Sequence, residues 1–172
     1  MSYKNENMKM IELHENGLDI QFRIRENGVV ELADFSSQEV KKAVMEPKED
    51  ICYPAVEIHR SGTGSLNMHA YKNNINQSSV DFVYENHELK AQAGGKELEI
   101  VMISPEKLKA VYHMRLFDGV PAVQTWTEII NEGSEDQGLT YVSSFMYQGI
   151  SRGGEKPYYK KTDIYVPFNS WC

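Results

Sequence analysis

Alternation of apolar and polar residues decides what this chain can fold into. Leu18, Ile20, Phe22 and Ile24 take every second position, with Asp19, Gln21 and Arg23 between them. Successive side chains of an extended strand point to opposite faces, so this pattern buries one face and wets the other. A helix would scatter the same residues around its axis. The pattern returns over 96–103, with Leu98, Ile100 and Met102 on one face. It returns again over 107–117, where Leu108, Ala110, Tyr112, Met114 and Leu116 oppose Lys109, Val111, His113 and Arg115.

Turn residues punctuate these runs. Asn16-Gly17 joins 10–14 to 18–24, and Asn27-Gly28 joins 18–24 to 29–35. Asn-Gly is a strong hairpin signal because both central positions of a two-residue turn need positive φ. Gly94-Gly95 and Asp118-Gly119 mark two further turns, and Pro105 ends the strand before it. The spacing predicts more strands at 55–60, 66–71, 80–85 and 88–93, the last two turned at Asn86-His87. The segments 107–117, 121–130 and 139–150 read as a meander in the middle of a sheet, with a last strand at 164–166. Residues 36–53 differ: they are polar, contain Pro47 and an acidic stretch, and carry Val40, Ala43 and Val44 at helical spacing. A loop with one short helix or turn is expected there. Many short strands with almost no helix predict an all-β fold, a two-layer antiparallel sandwich. With no internal repeat and no linker, residues 1–172 are expected to form a single domain.

Composition narrows the function. The chain has 18 Lys and Arg against 25 Asp and Glu, a formal charge of −7. An acidic chain has no electrostatic reason to seek a phosphate backbone, so nucleic acid is not an expected partner. The first residues are polar and lack the apolar core of a signal peptide, and no apolar run approaches the ~20 residues that span a bilayer. The two cysteines, Cys52 and Cys172, have no metal-like spacing. A cytoplasmic protein without membrane contact is expected.

Few motifs carry chemistry. None of His14, His59, His69, His87 and His113 forms a zinc-type pair in sequence. No metal or other cofactor is expected, although a site assembled from separate strands would leave no such spacing. Gly62-Thr63-Gly64-Ser65 lacks the lysine and the helix of a phosphate loop and reads as a turn. No nucleophile elbow is present, and Cys52 follows a run of acids that would raise its pKa. Among the acids near loops, Asp118 reads as a turn former, while Asp34 and Asp50 stay open as functional groups. Trp126 lies inside an alternating strand and is expected in the core. Trp171, Tyr158, Tyr159 and Tyr165 read as residues that pack against another domain. The alternative is sugar stacking.

The run Asp118-Gly119-Val120-Pro121-Ala122-Val123-Gln124-Thr125-Trp126-Thr127-Glu128-Ile129-Ile130-Asn131-Glu132-Gly133 resembles the N-terminal domain of α-galactosidases of glycoside hydrolase family 36, which carry a similar DG-x-P-x-V-x-x-W-x-E-x-x-N-x-G pattern. Further segments stand in the family's order: 30–35, 53–58, 96–101, 139–145, and the closing Pro167-Phe168-Asn169-Ser170-Trp171. The resemblance covers about residues 28–171. It implies a β-supersandwich, galactose-mutarotase-like, that precedes a catalytic (β/α)8 barrel lying outside this sequence. It implies a retaining glycosidase that releases terminal α-galactose through a pair of aspartates in that barrel. No residue here inherits a catalytic role, and the chain alone is expected to be inactive. The full-length form is expected to be a homo-oligomer acting on α-galactosides. In such proteins an N-terminal loop can reach a neighbouring active site. Residues 36–53, with Asp50, are the candidate for that loop, and Trp171 is a second candidate at the substrate pocket. The alternative is a free-standing carbohydrate-binding β-sandwich without catalysis.

Overall fold

The computed structural model describes residues 9–37, 53–63 and 77–147. Their order is β1 (Lys9–Glu15), β2 (Leu18–Ile24), β3 (Val30–Ser37), β4 (Ile58–Arg60), α1 (Gln77–Val80), β5 (Val83–Gln92), β6 (Gly95–Ile103), β7 (Leu108–Phe117), β8 (Val120–Asn131) and β9 (Leu139–Val142). All pairings are antiparallel: β1-β2-β3 form one sheet, β5-β6-β7-β8 a second, and β4 pairs with β9. The all-β sandwich expected from the alternation is what forms. Among the described residues no helix is long and apolar enough to cross a membrane.

The core lies between the three-stranded and four-stranded sheets. Ile20 and Phe22 of β2 and Leu32 of β3 face Leu98 and Ile100 of β6 and Tyr112 and Met114 of β7, all within one buried cluster. Phe22 meets Tyr112 edge to face at 5.7 Å across the two layers, a geometry that adds ~0.5–1.5 kcal/mol beyond area burial. The alternating residues named for β6 and β7 all point inward, each at most 4% exposed.

The turns carry more detail than the sequence signals did. At β1–β2 both Asn16 (φ +52°) and Gly17 (φ +84°) are left-handed, as a two-residue hairpin demands. At β2–β3 only Gly28 is left-handed (φ +84°). Gly28 N donates to Arg25 O and Arg25 N donates to Val29 O, both at 2.9 Å. This is a three-residue loop closed by a glycine bulge, so the Asn-Gly signal marks the hairpin while the turn is one residue longer. Gly28 also touches the other sheet. Its carbonyl accepts from Tyr84 N at 2.8 Å, and a Cβ on it would sit 2.8 Å from Val83 Cβ.

Two sequence expectations are corrected. No turn forms at Asn86-His87: β5 is continuous from Val83 to Gln92. Its register jumps from Tyr84↔Met102 to Asn86↔Val101, so Glu85 is the extra residue of a β-bulge. Tyr84 OH bonds His87 Nδ1 at 2.8 Å across the bulge. Nor do 107–117, 121–130 and 139–150 form a meander. After Asn131 the chain turns, with Asn131 Oδ1 accepting from Gly133 N and Asn131 Nδ2 donating to Glu135 O. Ser61 N then bonds Gly138 O, and β9 is delivered to β4 instead. Among the described residues β8 is therefore an edge strand, with Val120 48% exposed. The helix or turn expected within 36–53 and the strands at 66–71 and 164–166 lie outside the described residues.

Candidate functional site

The outward face of the four-stranded sheet gathers the densest set of chemical groups among the described residues. Glu97 and Glu99 are two positions apart on β6 and share that face. The hairpin register sets Glu99 opposite His113 of β7, and sets His113 opposite Trp126 of β8. The imidazole lies flat on the indole, with centroids 4.6 Å apart and planes within 5°. Its Nδ1 is 2.9 Å from Glu97 Oε1 and 3.9 Å from Glu99 Oε1. Its Nε2 is 3.7 Å from Glu128 Oε2.

Burial makes this more than a wet surface cluster. Glu97 and His113 are each 8% exposed although they stand on the outer face. One ligand atom from each of Glu97, Glu99 and His113 lies within 4.8 Å of the others. A carboxylate accepts only, so His113 Nδ1 carries the proton in the contact with Glu97. Nε2 is buried and has no hydrogen-bond partner. Lys90 of β5 supplies the neighbouring positive charge, in contact with Glu99 and 3.7 Å from Glu88. The hydrogen bond to Glu99, helped by the charges of Glu99, Glu88 and Glu97, pushes the Lys90 ammonium above its usual value against a desolvation cost. Such an arrangement can hold a cation among carboxylates.

A second group joins β4 to β9. His59 Nε2 is 2.9 Å from Glu57 Oε1, and its ring tilts against Tyr141 at 5.1 Å. Glu57 N donates to Ser143 Oγ at 2.7 Å, and Thr140 Oγ1 donates to His59 O at 3.2 Å. Tyr141 leaves 51% of its surface exposed.

Solved α-galactosidases are similar to this chain. One is a doubly substituted family 36 enzyme from Geobacillus stearothermophilus in complex with raffinose: 11% identity, TM-score 0.44, covering 73% of this chain and 22% of the enzyme. A second structure of that enzyme gives 12% identity, TM-score 0.45, and 74% and 23% coverage. An α-galactosidase from Lactobacillus brevis gives 14% identity, TM-score 0.43, and 78% and 23% coverage. The chain spans less than a quarter of the length of these enzymes. No protein-family model matches it, and no curated protein matches it.

Asp50 and Trp171 lie outside the described residues, as do Cys52, Cys172, Tyr158, Tyr159 and Tyr165. Asp34 is buried on β3 and accepts from Ser36 Oγ at 3.3 Å. Asp118 sits in the β7–β8 turn beside Gly119 (φ +71°), a turn former as expected. Gly62 (φ +82°) and Thr63, whose Oγ1 donates to Arg60 O, lie in a turn, while Gly64 and Ser65 of the same expected turn lie outside the described residues. Trp126 is not in the core. Val123 and Ile129 of β8 pack against the core, and Trp126 has the opposite parity, so it covers the outer face and His113. Sequence spacing missed the Glu97–Glu99–His113 group because its members come from two strands. The β6–β7 hairpin would have found it: folding 95–103 back on 109–117 about residue 106 puts residue 99 opposite 113.

Proposed function

We propose that this chain is the non-catalytic N-terminal domain of a larger retaining α-galactosidase, whose hydrolytic barrel lies outside these residues. One observation carries the reading: motif segments in the family's order, the longest running from the β7–β8 turn through β8 to Gly133. The other described segments coincide with structural elements: 30–35 with β3, 53–58 with the approach to β4, 96–101 with β6, and 139–145 with β9 and the residues after it. Val120, Leu139, Tyr141 and Phe145, each at least 41% exposed, offer apolar surface on β8, on β9 and just beyond it, where a following domain would sit. In this reading the full-length protein is a cytoplasmic homo-oligomer that releases terminal α-galactose from oligosaccharides without a catalytic cofactor. Asp50 and Trp171 then border the substrate pocket, and residues 36–53 reach toward a neighbouring active site.

The test is turnover by the purified chain on p-nitrophenyl α-galactoside, melibiose and raffinose. No hydrolysis is expected. Hydrolysis abolished by Asp34→Asn or Asp50→Asn would overturn the proposal. A second reading, a free-standing sugar-binding sandwich, is favoured by the exposed Tyr141 ring beside His59 and Glu57. It predicts micromolar to millimolar binding of galactose or raffinose by calorimetry, lost in Tyr141→Ala, and the absence of any binding heat removes it.

A further inference from the structure

We propose that Glu97, Glu99 and His113 form a binding site for one divalent transition-metal ion of the zinc class, bound through His113 Nδ1 and backed by Glu128. The inference does not depend on the α-galactosidase reading.

The frame is rigid. Positions 97 and 99 share one face of β6, and 113 stands opposite 99 on β7, so all three side chains leave the sheet in the same direction. Zinc binds imidazole nitrogen at ~2.0–2.1 Å and carboxylate oxygen at ~2.0–2.2 Å, which sets tetrahedral ligand atoms ~3.3–3.5 Å apart. The candidate ligand atoms already lie within 4.8 Å of one another, with Nδ1 2.9 Å from Glu97 and 3.9 Å from Glu99. Small side-chain rotations close the remainder. Glu99 keeps 22% of its side chain exposed, which leaves a path for the ion and a water as fourth ligand. Imidazole with carboxylates suits zinc, cobalt or nickel better than calcium or magnesium, which prefer all-oxygen sets.

The decisive observation is His113 Nε2. The side chain is 10% exposed, and Nε2 is buried without a hydrogen-bond partner while facing the Glu128 carboxylate at 3.7 Å. The contact with Glu97 engages Nδ1 only, so Nε2 stays beyond hydrogen-bond distance of the one carboxylate it faces. A metal at Nδ1 gives this atom a role: the ring N–H is then on Nε2 and donates to Glu128. Metal-bound histidines characteristically give their other N–H to a carboxylate in this way. The charges agree. Glu97, Glu99 and Glu128 surround the ring, and Lys90 is in ion-pair contact with Glu99 but not with the other two. Arg115 stands opposite Glu97, but its guanidinium is turned to Ala93 O and the Phe117 ring.

The test is calorimetric titration of the chelator-treated 172-residue chain with zinc chloride. The proposal expects one ion per chain, and affinity at least 10-fold weaker in Glu99→Gln. Glu128→Gln, on a half-exposed side chain that leaves the fold intact, should weaken binding ~10–100-fold. Nitrogen NMR of the His113 ring should show Nδ1 without a proton and Nε2 bearing one when zinc is bound. Absence of saturable binding, affinity unchanged in Glu99→Gln and His113→Gln, or a proton that stays on Nδ1 would overturn it. The second of these outcomes would place the ion on other groups, the cysteines among them.

Discussion

Gly28 and Gly17 make a controlled comparison of what joins the two layers. Both close hairpins of the three-stranded sheet, and both have φ of +84°. A Cβ on Gly17 meets nothing within 4 Å, whereas a Cβ on Gly28 lies 2.8 Å from Val83 Cβ and 3.1 Å from Val83 Cγ1. Gly17→Ala should therefore cost only the left-handed penalty of ~1–2 kcal/mol. Gly28→Ala should cost that plus ~1–3 kcal/mol for a clash between two β-carbons held by backbone. The clash cannot be relieved by a rotamer change, because the offending atom is Val83 Cβ itself, and the neighbouring Tyr84 N is bonded to Gly28 O. The entropy that alanine removes from the unfolded chain is the same in both variants and cancels. Urea denaturation gives the difference directly. For a chain of this length, each kcal/mol also lowers the melting temperature by about 2–4 °C. Equal costs at the two positions would refute the contact between the β2–β3 turn and β5.

Other outcomes follow from the buried polar groups. Glu31, 1% exposed, accepts from Arg23, Arg25 and the Tyr53 amide; Glu31→Gln should destabilise by ~3–5 kcal/mol, measured by chemical denaturation, since it leaves two guanidinium groups without this charge. Burial pushes the Tyr112 phenol far above its ordinary value, against a smaller lowering by its bond to Thr125. The folded value exceeds the unfolded one, so stability is whole below about pH 10 and is lost as pH rises. Tyr112 phenolate absorbance should then appear only together with loss of the far-UV β signal. Burial, with the Lys9 charge, lowers His87 below 6.5. That stabilisation is present above pH 6.5 and is lost as pH falls through the folded value, and proton NMR of the ring should titrate below 6.5 and move upward in Lys9→Gln.

The inner faces of β2, β6 and β7 were legible in the sequence because period-two burial is a local property, read without knowing a neighbour. The Asn16-Gly17 turn was legible for the same reason. What a strand pairs with is not local. β9 could be read as a strand, but its pairing with β4 depends on the side-chain bonds of Asn131 and the Ser61–Gly138 contact. The false turn at Asn86-His87 shows that turn residues also serve a bulge. Its place inside an alternating strand points Trp126 to the core, while the parity it shares with Glu128 sets it outside. The Glu97–Glu99–His113 group was readable only after one hairpin register was fixed.

The central claim, that these strands are one domain of a larger glycosidase, is tested most directly by reading the gene past codon 172. The account predicts an uninterrupted frame encoding a (β/α)8 barrel with a pair of aspartates at its strand ends. A stop codon at that point, in a chain that purifies as a monodisperse monomer, would contradict it.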